Sequence, residues 1–189
     1  MNFRQFLESL EGLDVGRSVK GALDNVDWSS DEWSYAASID LGDDEDLDPE
    51  DIETRAYELA TEEFEDRFYD LQYTFEQLGA SFEVFRVITV PGQDYEELLK
   101  AIQTNKVGEY WSWDENAAEA HWGTFSSGYQ KITLGAKVQQ NQVNWEDTMI
   151  VNINSPEEKE IRLKEGTRVE INGVEFEGRW YPANIAATV

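Results

Sequence analysis

A change of hydrophobic period near residue 80 constrains this chain more than any other feature. Before it, apolar residues recur every three or four positions. After it, they alternate or run together. Asp48-Pro49-Glu50-Asp51 is a strong helix start: Asp48 can cap, Pro49 fits the first turn, and the acids face the positive end of the helix dipole. Ile52, Ala56, Leu59, Phe64, Phe68, Leu71, Phe75 and Leu78 follow as a stripe, and Gly79 supplies a stop. The spacing predicts a helix of about 30 residues, ~45 Å long. Upstream, Phe3, Phe6, Leu7 and Leu10 fit a short amphipathic helix, and a stretch rich in Ser, Gly and Asp offers Trp28, Trp33 and Tyr35 as anchors. Downstream, residues 81–90 (SFEVFRVITV) read as a strand that ends at Pro91-Gly92. Asp94 then starts a helix with Tyr95, Leu98, Leu99 and Ile102 on one face. Residues 108–113 look strand-like and residues 115–122 look like a helix turn or two. Further strands are predicted at residues 131–138, 149–152, 160–164 and 168–171. Strands after helices predict an α+β protein: an acidic helical region over residues 1–80 and an α+β core over residues 81–189.

Charge narrows the function classes. The 189 residues carry 40 Asp plus Glu against 15 Lys plus Arg, a net charge of −25. Nucleic-acid binding needs cations to displace counterions from phosphates, and an anionic membrane surface makes the same demand; neither partner is expected. No apolar run approaches the ~20 residues of a membrane span. The first residues, MNFRQFLESLEGLD, carry acids where a signal peptide needs an apolar stretch. The chain therefore reads as soluble and intracellular: cytoplasmic, or in the host cytoplasm if it is viral. The absence of Cys removes disulfides, thiolate catalysis and Cys-ligated zinc. His121 is the one histidine, and a lone His after Asn116-Ala117-Ala118-Glu119-Ala120 is assigned no role. Seven Trp, eight Tyr and nine Phe supply too much apolar surface for a disordered acidic chain. The acidity is uneven: residues 1–80 hold 23 acids and 5 bases, a charge of −18, and residues 81–189 hold the remaining −7.

Three constellations are candidates for chemistry. In Asp43-Asp44-Glu45-Asp46-Leu47-Asp48 the one-three-five spacing of a calcium loop is present, but Pro49 stands where the loop needs Gly and Arg55 where it needs Glu. No metal site is assigned, and the run reads as a solvated loop. Arg86, in Val84-Phe85-Arg86-Val87-Ile88, shares a strand face with two aliphatics and is expected to be partly buried. A buried guanidinium needs a partner, either a structural carboxylate or a ligand's phosphate or carboxylate. Glu158 and Glu160 precede Ile161 and Leu163. If this segment is extended, the two carboxylates share one face, where they can orient a hydroxyl and stabilise a developing cation.

The order of these pieces resembles the mono-ADP-ribosyltransferase family of the Arg-Ser-Glu type, over about residues 81–172. Arg86 in VFRVI matches the family's Arg, Ser112 in EYWSWDENAAEAHW its first Ser, and Glu158 and Glu160 in EKEIRLKEGTRVEI its E-x-E pair. The family's Ser-Thr-Ser stands here as Ser112-Trp113-Asp114. The resemblance implies a split β-sheet core that binds NAD as substrate between the Arg86 strand and the E-x-E hairpin. It implies that Arg86 pairs with a phosphate, Ser112 shapes the nicotinamide pocket, and Tyr110, Trp111 or Trp113 stacks on nicotinamide. It further implies that Glu160 contacts the nicotinamide ribose and that Glu158 orients the nucleophile, with arginine on a protein, or water, as acceptor. A viral or bacterial effector is the context that fits. Two other readings compete: a non-enzymatic acidic inhibitor or DNA mimic that covers a basic partner surface, carried by the −18 of residues 1–80, and a catalytically inactive transferase fold with a structural role.

Overall fold

Capping and periodicity settle the helical half. A computed structural model describes residue 10 and residues 12–28, 31–42, 48–91, 95–104, 107–121 and 129–189. Helix α1, Val15–Leu23, starts where the Asp14 carboxylate accepts from the Arg17 amide, and it buries Val19, Ala22 and Leu23. Helix α2 is Asp31–Leu41. Helix α3, Pro49–Gln77, is 29 residues long, with the Asp48 carboxylate accepting from the Glu50 amide. Its buried stripe is Ala56, Ala60, Phe64, Phe68, Leu71 and Phe75; Ile52, Leu59 and Leu78 are only partly covered. Gly79, at φ 76°, ends it in a conformation that favours glycine. Helices α1 and α2 occupy the stretch for which only aromatic anchors were predicted. Trp33 packs edge-on to Phe64 and Trp28 stacks on Tyr57, whereas Tyr35 is exposed. Phe3, Phe6, Leu7 and the acid run of residues 43–47 lie outside the described residues.

The remaining elements are β1 Ser81–Pro91, α4 Tyr95–Thr104, β2 Tyr110–Ser112, α5 Glu115–His121, β3 Tyr129–Gln139, α6 Trp145–Asn154, β4 Glu160–Arg162, β5 Arg168–Phe176 and β6 Arg179–Thr188. The strands form one antiparallel sheet in the order β4-β2-β1-β3-β5-β6. The fold is α+β, as expected. The sheet is not split, because β1 and β3 pair along all eleven residues of each and so join its two halves. The strand predicted at residues 149–152 is instead part of α6. Met149-Ile150-Val151 is β-favouring in isolation, but the Asn144 side chain caps the segment and Glu146 and Asp147 occupy its first turn, which selects helix. Strand β6, absent from the sequence reading, contains Pro182 and three alanines, which weigh against a strand.

Directly paired strand residues share a face. Val84, Ala136, Ile171 and Ile185 pair in turn across one face, and all four are buried. This face meets the helices: Phe82 lies against Trp145, which packs on Phe75 of α3, and Tyr95 of α4 reaches Phe176 and Tyr181. Residues from both sides of residue 80 belong to one hydrophobic core, so the change at residue 80 is from helix to strand within a shared interior. Pairing across the opposite face runs Glu160, Ser112, Phe85, Gly135, Gly173. That row crosses five strands, and two clefts lie along it.

Candidate functional site

The first cleft has a volume of about 140 Å³ and lies over the Glu160 end of the row. Phe85, Tyr110, Ser112, Ala118, Glu158 and Glu160 contribute to its walls. A cavity of about 150 Å³ holds one benzene ring, so this cleft admits a single ring and not a whole dinucleotide. Its floor is the three-residue strand β4, whose outer edge is covered by α6 instead of another strand. Asn152, fully buried, donates through Nδ2 to the Glu160 carbonyl at 2.7 Å and accepts at Oδ1 from the Glu160 amide at 2.9 Å. The Thr148 hydroxyl accepts from the Arg162 amide at 3.0 Å. These side chains complete a ladder that an edge strand would otherwise leave open.

Glu158 and Glu160 both line this cleft, but by a route other than the expected strand. Residues Pro156–Glu158 form a 3-10 turn, and the strand begins only at Glu160. Between them Lys159 is left-handed, at φ 49°. Strand alternation therefore does not aim Glu158; the turn does. Ser112 fixes that turn: its Oγ lies 3.2 Å from the Glu158 carbonyl and 3.0 Å from the Lys159 carbonyl, and accepts from the Asp114 amide at 3.1 Å. The Ser112 hydroxyl is thus engaged in the scaffold. Asp114 adds a second tie, taking a hydrogen bond from Lys159 Nζ at 2.6 Å and one from the Ala117 amide at 3.0 Å.

These contacts, that to Lys159 foremost, hold the Asp114 carboxyl below its ordinary 3.8. A depressed folded pKa stabilises the fold above the unfolded value, and that contribution disappears as pH falls through the folded one. The tie is expected to be intact at neutral pH and to open only under acid. In a carbon-detected titration the Asp114 carboxyl should show a midpoint below 3.8, and a midpoint at or above it would remove the tie from the account.

Glu160 is flanked by a cation that the sequence reading missed. Arg162 Nε donates to Glu160 Oε1 at 2.8 Å, while its guanidinium lies 5.0 Å from the centre of the Tyr110 ring. The signal was available: residues two apart on a strand share a face, and Tyr110 pairs with Arg162 in the register. Of the three aromatic candidates, Tyr110 presents a half-exposed ring. Trp111 also lines the cleft, and Trp113 is half-buried against the core. The Trp111 indole is 2 % exposed and donates to the Gly108 carbonyl, and Trp113 packs edge-on to Phe75.

Arg86 alternates with Phe85 and so departs from the core face, opposite Ser112 and Glu160. Its guanidinium donates to the Tyr110 carbonyl, in the seam between β1 and β2. Gly108, at φ 79°, makes room: a Cβ there would sit 2.6 Å from Arg86 Nη2. Burial pushes the Arg86 pKa down to about 10, against the attraction of Glu160. Arg86 therefore braces β2 and places a partly desolvated positive charge behind the cleft.

Among the described residues no group of three or more His, Asp or Glu side chains is placed to hold a metal ion, and no helix is long and apolar enough to cross a membrane. No family model, curated protein or solved structure matches the chain.

Proposed function

We propose that this chain is an NAD-cleaving mono-ADP-ribosyltransferase, with the nicotinamide end of NAD in the ring-sized cleft and protein arginine or water as acceptor. The observation that supports the reading is the register of Ser112 with Glu160 beside the Arg86 strand. Three segments far apart in sequence become neighbouring strands, and both E-x-E carboxylates reach one cleft. Tyr110 offers nicotinamide an aromatic face. Glu160, held by Arg162, accepts from a ribose hydroxyl and stabilises the oxocarbenium-like carbon as the glycosidic bond breaks, its electron pair leaving with the nicotinamide nitrogen. Glu158 takes the proton of the nucleophile that bonds to that carbon. Incubation with NAD is expected to release nicotinamide. No release at high protein concentration would sink the reading, and NAD binding without release would mark an inactive transferase fold.

A second reading rests on α3, whose outer side exposes Glu58, Glu62, Glu65, Asp66 and Asp70 together with Tyr57, Tyr69 and Tyr73. Such a face suits a non-enzymatic role against a basic protein surface. In the triple variant Glu62→Gln, Asp66→Asn, Asp70→Asn, affinity for a purified basic nucleic-acid enzyme is expected to fall about ten-fold at physiological salt. Unchanged affinity would remove this reading.

A further inference from the structure

The second cleft lies along the same row of paired residues, beyond Phe85, and has a volume of about 450 Å³. Its centrepiece is Trp180. Gly135 and Gly173 face each other across β3 and β5, and the indole lies over both. A Cβ on Gly135 would come within 3.2 Å of the ring, and one on Gly173 within 2.8 Å. The two glycines thus form a seat that any larger residue would fill. Trp180 Nε1 donates to Glu115 Oε1 at 3.2 Å, which fixes the ring's orientation, and the ring remains 44 % exposed. Phe85 meets it edge-on at 6.4 Å.

The charged groups around this shelf are carboxylates. Glu83 and Glu115 line the cleft, and the Asn172 amide oxygen lies 3.4 Å from where a Gly135 Cβ would be. Among the described residues the lining contains no Lys or Arg; Lys137, opposite Glu83 in the register, lies on the same face outside it. A seated, half-open indole flanked by carboxylates favours a cation. The flat shelf and the spread of acceptors favour a planar cation with several donors over a compact ammonium. Phosphate groups are disfavoured by the same carboxylates.

We propose that this second cleft binds the guanidinium of an arginine side chain on a partner protein. The assignment is independent of chemistry in the first cleft, because binding is measured without NAD. The full chain is titrated with acetyl-Gly-Arg-Gly-amide while the indole N–H of Trp180 is followed by NMR, its signal identified by loss in Trp180→Phe. The arginine peptide should bind about ten-fold more tightly than its neutral citrulline counterpart, and more tightly than the lysine peptide. Glu115→Gln, or Gly173→Ala, which displaces the ring, should weaken binding by about the same factor. Glu165→Gln, an exposed residue outside both clefts and outside the α3 face, removes the same charge from the chain and should leave binding unchanged. Equal binding of the citrulline or lysine peptide would overturn the proposal. So would equal effects of Glu115→Gln and Glu165→Gln, or a Trp180 signal that responds to AMP and not to the arginine peptide.

Discussion

Asn152→Leu is expected to lower the melting temperature by about 6–15 °C and to release β4 from α6. The change conserves volume and removes three hydrogen bonds, two of them to the backbone of Glu160. The position is fully buried, so water does not replace what is lost. An unpaired buried amide and carbonyl cost about 1–3 kcal/mol each, and for a chain of this length each kcal/mol moves the midpoint by about 2–4 °C. Thr148→Val, which removes the one acceptor that meets the Arg162 amide, should give a smaller shift in the same direction. Amide hydrogen exchange supplies the local readout: the Glu160 and Arg162 amides should lose protection before the β1–β3 centre does. A midpoint within about 2 °C of the parent would mean that packing alone holds this strand.

The same residue marks where sequence reasoning failed. Helix α3 was legible because its signals agree: a cap at Asp48, proline in the first turn, a stripe at helical spacing and a glycine stop. Strand β1 was legible because β-branched and aromatic residues dominate it, and most of β3 was read as a strand as well. In α6 local propensity and capping disagree, and the strand reading followed the apolar run of three residues without weighing the Asn144 cap. With α6 read as a strand, Asn152 had no reason to meet Glu160. Strand β6 could not be read because its pairing with β5, and not its own composition, makes it a strand.

The candidate site divides in the same way. Glu158, Glu160, Ser112 and Tyr110, named from short segments of sequence, line one cleft. Their roles were harder to read. The Ser112 hydroxyl is engaged by the turn that it was expected to face. Alternation along a three-residue strand puts Tyr110 and Trp111 on opposite faces, but which face meets the core depends on helices elsewhere in the chain. Arg86 illustrates the point: partial burial was predicted correctly, and one contact of its guanidinium is a backbone carbonyl across the seam.

Glu160→Gln is the decisive substitution for the proposed chemistry, with nicotinamide release expected to fall about 100- to 1,000-fold. The amide keeps the size and an oxygen that Arg162 can still meet at Oε1, but not the charge that opposes a developing cation. Stability should change little. The Glu160 side chain is 17 % exposed and that of Arg162 35 %, so the pair is partly screened and contributes about 1 kcal/mol or less after discounting for solvent. That separation between activity and stability is what a chemical role predicts, and a structural ion pair would show the reverse. Arg162→Met gives the complementary test. If Arg162 aims the Glu160 carboxylate, its loss should reduce release by a smaller factor and leave the KM for NAD nearly unchanged, because the missing contact matters in the transition state. Full nicotinamide release by a folded Glu160→Gln variant would remove Glu160 from the chemistry. The presence of both glutamates at one cleft would then be a consequence of how Ser112 and Asn152 tie down the β4 edge of the sheet.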